Sequence, residues 1–94
     1  MPMATRDGLY PIGVFEDRYS GAYAGGAWVA VAGLDSLEDG RSRFWLAFEG
    51  AHGDDLSADR FWEMHQPTPW LAVGKSPEEA VSILVQRMAR LEHA

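Results

Sequence analysis

Apolar and polar residues recur along this chain at two different periods, and the switch between them marks out its elements. From Leu9 to Asp17, Tyr10, Ile12 and Val14 fall on one side and Gly13 and Phe15 on the other, the two-residue period of a strand. Pro11 has no N–H to give a ladder, which suits an edge strand or a strand start. The glycines between Arg18 and Gly26 argue for a turn or flexible hairpin loop, and a second strand runs from about Ala27 to Ala32. A connection from Gly33 to Gly40 carries the turn-favouring Asp39-Gly40 pair. Alternation then resumes from Arg43 to Glu49. There Phe44, Leu46 and Phe48 are expected to face the core, while Arg43, Trp45, Ala47 and Glu49 share a face that is either half covered or an interaction surface. These three strands most simply form an antiparallel meander.

The period then lengthens. Ser57 can cap a short helix from Ala58 to His65, with Asp59 in its first turn, where the helix dipole favours an anion. Phe61, Trp62 and Met64 would anchor it, and Gln66-Pro67-Thr68-Pro69 would end it. Trp70 to Val73 reads as a last short strand. The strongest local signal follows: Ser76 as cap, Pro77 in the first helical position, and Glu79 three residues after Ser76 to complete a capping box. Ala80, Val81, Leu84, Val85, Met88 and Leu91 make one apolar stripe, expected to pack against Phe44, Leu46 and Phe48. The pattern as a whole predicts an α+β fold: a three- to four-stranded, mainly antiparallel sheet with a short helix, and a C-terminal amphipathic helix packed on one face. Residues 1–94 form a single domain in this reading, with residues 1–8 as a flexible N-terminus.

At 94 residues the chain is near the lower size at which a domain folds unaided, so its core must be dense. Four Trp, four Phe and three Tyr supply the material, at about 150–250 Å² buried for each. With no cysteine, disulfide staples, thiol catalysis and thiolate metal sites are excluded, and a reducing cytoplasm is the expected location. The first residues lack the apolar core of an export signal, and no run reaches the eighteen apolar residues that a membrane span needs. A net charge of −6 opposes direct nucleic-acid binding. Of the fourteen acids, eight lie between Asp35 and Glu63, where only Arg41, Arg43 and Arg60 oppose them. That surface could meet a basic partner protein; solubility alone is the other account of it. All bases but Lys75 are Arg, a bias typical of GC-rich bacterial or phage genomes.

Candidate chemistry is sparse. His52, Asp54, Asp55, Asp59, Glu63 and His65 lie close together in sequence, and Asp59 and Glu63 share a helix face. The spacing matches no metalloprotease or calcium-loop signature, so a solvated acidic face competes with a small metal-dependent enzyme built on Asp54, Asp55, Asp59 and His65. None of the serines sits in a nucleophile-elbow context. The glycines of Gly21 to Gly26 do not lead into a helix, as a phosphate-cradling loop must. No cofactor or resident metal is therefore expected. The aromatic excess is more suggestive, because large aromatics near Arg are the usual anchors of protein interfaces. The candidate partner-binding residues are Tyr19, Tyr23, Trp45, Glu49, Asp54, Asp55 and Asp59.

Two stretches also carry a family likeness. Tyr10-Pro11-Ile12-Gly13-Val14-Phe15-Glu16-Asp17 with Gly26-Ala27-Trp28-Val29-Ala30-Val31-Ala32, followed late by Gly74-Lys75-Ser76-Pro77-Glu78-Glu79-Ala80-Val81, resembles the HicB-type antitoxin domain. That resemblance implies opening strands, a capped helix, and neutralisation of a small RNA-cleaving toxin, often with a DNA-binding segment for autoregulation. Arg43 to Glu49, Gly53-Asp54-Asp55 and Phe61-Trp62 are similar to segments of small bacterial and phage proteins, which implies an accessory or mobile-element role. The leading expectation is a non-enzymatic module that inhibits or regulates a protein partner by occluding it.

Overall fold

The computed structural model describes residues 9–38, 40–65 and 68–93. The expected flexible segment 1–8, the Asp39 half of the predicted turn, the helix-ending Gln66 and Pro67, and the side chains of His65 and Leu91 lie outside what is described. The fold is α+β. An antiparallel sheet of three strands is formed by β1 (Gly13–Glu16), β2 (Trp28–Val31) and β5 (Leu71–Gly74), in the order β1-β2-β5. A small hairpin of β3 (Leu37–Glu38) and β4 (Arg41–Ser42) stands apart from it. The helices are α1 (Arg43–Ala51), α2 (Asp55–His65) and α3 (Pro77–His93).

The central strand explains the arrangement. β2 pairs with β1 through Phe15↔Val29 and with β5 through Ala30↔Ala72, and Val29, Ala30 and Val31 are all inaccessible. A strand buried on both faces needs a cover on each. On one face Ala30 and Ala72 meet Ala80, Leu84 and Met88 of α3. On the other, Val29, Val31 and Leu71 meet Ala47 and Ala51 of α1, Trp62 of α2 and Ala24 of the first loop. Alanines line the α3 layer, and Ala47 and Ala51 turn the small side of α1 to the sheet, so backbones approach closely.

The expected start of α3 is present in detail. The Ser76 hydroxyl accepts the Glu79 N–H at 3.1 Å, and the Glu79 carboxylate reaches back to accept the Lys75 N–H at 2.7 Å. The partner expected for its stripe is not the one found. Phe44, Leu46 and Phe48 belong to an element on the far side of the sheet, so Ala80, Leu84 and Met88 of the stripe pack on β2 and β5 instead.

The larger correction concerns Arg43 to Glu49, which is helix and not a third strand. Ser42 starts it by accepting the Trp45 N–H at 3.2 Å. Ala47, expected on the outward face, is completely buried with Ala51 one turn on. Phe44 and Phe48 satisfy a period of two and a helical i, i+4 spacing equally well, which is why alternation misleads there. The third strand of the sheet is the late segment Leu71–Gly74, and the opening meander is reduced to the β1–β2 hairpin.

Smaller corrections concern where elements begin. β1 begins at Gly13, after Pro11, and Leu34 fills the space above Gly13. α2 begins before Ser57, because Asp54 is its cap: the Asp54 carboxylate accepts the Ser57 N–H at 2.9 Å and the Asp54 carbonyl accepts the Ala58 N–H at 2.8 Å. The first-turn acid is accordingly Asp55 and not Asp59. Of the predicted Asp39-Gly40 turn the described half is Gly40, which precedes Arg41, the partner of Glu38, and takes a φ of 83° that a side chain would disfavour.

Candidate functional site

α1 carries the most distinctive surface. Phe44, Phe48 and His52 lie one above another at i, i+4 and i+8. Phe44 stacks on Phe48 at 5.5 Å between ring centroids, and Phe48 stacks on His52 at 4.3 Å. Phe15 of β1 sets its ring edge-on to Phe44 and Phe48, at 6.2 and 5.5 Å. The rings of this row are half-buried, whereas Trp45 stands out from it with 53% of its surface exposed, its ring 6.2 Å from that of Phe48. Glu49 is exposed one turn beyond Trp45 and forms an ion pair with Arg41. Arg43 serves the fold: it reaches Glu38 at 3.1 Å and the Ala32 carbonyl at 3.1 Å, and lies over the Trp70 ring.

The row runs on into the first loop. Arg18 donates to the carbonyl of His52 at 2.9 Å, and the Tyr19 hydroxyl donates to that of Gly53. The Tyr23 hydroxyl donates to Asp55 at 3.3 Å, and the two tyrosine rings meet edge-on at 5.3 Å. The loop that supplies them is held from within. The Asp17 carboxylate, 3% exposed, accepts the N–H groups of Tyr19 and Gly21 at 3.1 and 2.9 Å. An aspartate ahead of such a turn makes this bond through its short side chain, which is the signal in the sequence that identifies Asp17 as the loop's organiser.

The structure therefore brings Tyr19, Tyr23, Asp54 and Asp55 together at the α1–α2 junction and sets Trp45 beside Phe44 and Phe48, toward the other end of the aromatic row, with Glu49 one turn on from Trp45. Asp59 is exposed on α2, close enough to Tyr23 to act on its ionisation. Partial desolvation, and then the neighbouring Asp55 carboxylate, push the Tyr23 phenol above its ordinary 10.0, so it remains a donor at neutral pH. Phe15, Phe44, Phe48, His52 and Arg18 join the site although none is among the expected partner-binding residues; the sequence suggests the core for Phe44 and Phe48 and an acidic cluster for His52. The helical spacing of Phe44, Phe48 and His52 was the available clue.

Asp54 gives the site a pH dependence. The Ser57 N–H, then its hydroxyl, and Arg18 hold the Asp54 carboxyl below its ordinary 3.8. A carboxyl whose pKa is lowered by folding stabilises the fold above the unfolded value and loses that contribution as pH falls through the folded one. Acidification below 4 is thus expected to fray the start of α2. Asp54→Ala should be less stable than wild type at pH 6, with a flatter pH dependence in thermal melts over the acidic range.

Among the described residues, no group of three or more His, Asp or Glu side chains is placed to hold a metal ion, and no helix is long and apolar enough to cross a membrane. No protein family, curated protein or solved structure matches the chain.

Proposed function

We propose that this chain is a non-enzymatic binding module that engages a basic partner protein through the aromatic face of α1, with Trp45 as its anchor, and acts by occluding that partner. One observation carries the reading: an indole more than half exposed, seated on a continuous row of aromatic rings. Exposing so large an apolar group costs hydrophobic free energy that burial would recover, and Trp in such a setting is the residue most enriched at binding hot spots. Glu49, Asp54, Asp55 and Glu16 surround the row with acids, which suits a basic partner and adds to the encounter rate. The HicB-type resemblance implies action of the same class on a toxin partner. The stretches that carry it fall in β1, β2 and the start of α3.

The test is photocrosslinking. A photoreactive phenylalanine analogue at position 45 should give a discrete adduct in lysate of the cell of origin, and one at Glu63, exposed on α2, should not. Equal adducts from both positions, or none from position 45, would count against the reading.

A further inference from the structure

The register of the sheet determines which backbone groups of β1 are free. The Asp17 N–H donates to the Ala27 carbonyl at 2.7 Å, and the pairing continues through Phe15↔Val29 and Gly13↔Val31. Hydrogen-bonded pairs recur at every second residue of an antiparallel ladder, so Val14 and Glu16 turn their N–H and C=O groups away from β2. Among the described residues nothing bonds to those outward groups. At the opposite edge of the sheet the chain itself supplies partners at Leu71. Leu71, which points outward from β5, accepts the Arg87 guanidinium at its carbonyl and donates its N–H to Thr68 at 3.4 Å.

Side chains flank the open edge on both faces of the sheet. On the α1 face, Phe15 continues into Phe44 and Phe48. On the α3 face, Val14 is 38% exposed. Arg87 reaches the β5 edge, so Val85, on the other side of the buried Ala80, Leu84 and Met88 row, leans toward β1; it too is partly exposed. Glu16 is exposed and without an ion-pair partner among the described residues. Like charges placed opposite each other across strands are unfavourable and opposite charges favourable. A second copy of β1 has no base between Tyr10 and Glu16 to offer, so charge favours a foreign, basic strand over self-pairing.

We propose that β1 is the docking edge for an extended basic segment of a partner protein, which adds to the sheet as a further strand. A Lys or Arg of that segment lies opposite Glu16, and an aromatic or β-branched side chain covers Phe15. This inference rests on the protein-binding reading above and specifies how the partner is held.

The probe is a capped peptide of about eight residues, an ordinary strand length, alternating valine and arginine, with a valine–glutamate peptide as its control. Titration followed by amide NMR should show shifts and slowed exchange concentrated at the Val14 and Glu16 amides, for the basic peptide only. Val14→Pro removes an outward N–H and spares the bonds to β2, so it should abolish binding. Glu16→Lys should reverse the preference to the acidic peptide, and it keeps the test decisive if the proline variant does not fold. Binding away from β1, equal response to both peptides, no binding of the basic peptide, or concentration-dependent pairing of β1 with itself would overturn the proposal. If Val14→Pro still crosslinks to the partner from position 45, strand addition fails and the protein-binding reading stands. Loss of crosslinking in the wild type removes both.

Discussion

Leu84→Ala is expected to destabilise the fold by about 2–5 kcal/mol, the range for deleting a fully buried leucine side chain. Leu84 has no exposed surface and sits between Ala80 and Met88 against Ala30 and Ala72. Neighbours that are mostly alanine cannot reach into the space left behind, so the cavity term should be close to fully expressed. For a domain of this size, each kcal/mol lowers Tm by roughly 4–8 °C. Urea and thermal unfolding measure the effect, and Leu56→Ala, 60% exposed on α2, should remain within about 0.5 kcal/mol of wild type. A loss below about 1 kcal/mol at Leu84 would mean that α3 is not packed on β2 and β5 as described.

Gly74→Ala should rank with it. A Cβ at position 74 would lie 2.5 Å from the Ala80 nitrogen and 2.9 Å from its Cα, against the first turn of α3. The obstacle is backbone, so no rotamer change relieves it, and the helix must move away from the sheet. Gly26 faces the same constraint, since a Cβ there would be 2.7 Å from the Gly74 carbonyl oxygen. Overpacking of this kind costs about 1–3 kcal/mol and sometimes more. The loss should appear in denaturant melts together with faster amide exchange through the first turn of α3. Wild-type stability for Gly74→Ala would contradict the close contact of β5 with that turn.

Elements whose signals are local were legible in the sequence, and elements decided by distant partners were not. Ser76, Pro77 and Glu79 each have a sufficient reason within one helical turn, so the start of α3 could be read directly. The run Ala27 to Ala32 could be read as a strand, but not its burial on both faces or which helix covers which, since those are set by distant partners. α1 was misread because Phe44 and Phe48 fit both periods; only Ala47 and Ala51, small residues buried against β2 and α2, break the tie. Ser57 has the chemistry of a cap for α2, but the cap is Asp54, whose carboxylate accepts the Ser57 N–H. At the site, Trp45 and Glu49 emerge as exposed neighbours one turn apart, an outcome that helical geometry produces as readily as strand alternation. The clamp of Tyr19 and Tyr23 onto Gly53 and Asp55 depends on contacts more than thirty positions apart, which no local pattern encodes, whereas Asp17 acts within four positions, on the N–H groups of Tyr19 and Gly21.

The central claim is that Trp45 is the anchor of a binding face and carries no weight in the fold. The dissociation constant and Tm of Trp45→Ala, measured on the partner recovered by crosslinking, test it most directly. The prediction is a loss of affinity of at least about thirtyfold, corresponding to a hot spot of roughly 2 kcal/mol or more, with Tm essentially unchanged. Unaltered affinity, or a fall in Tm comparable to that of Leu84→Ala, would contradict the account.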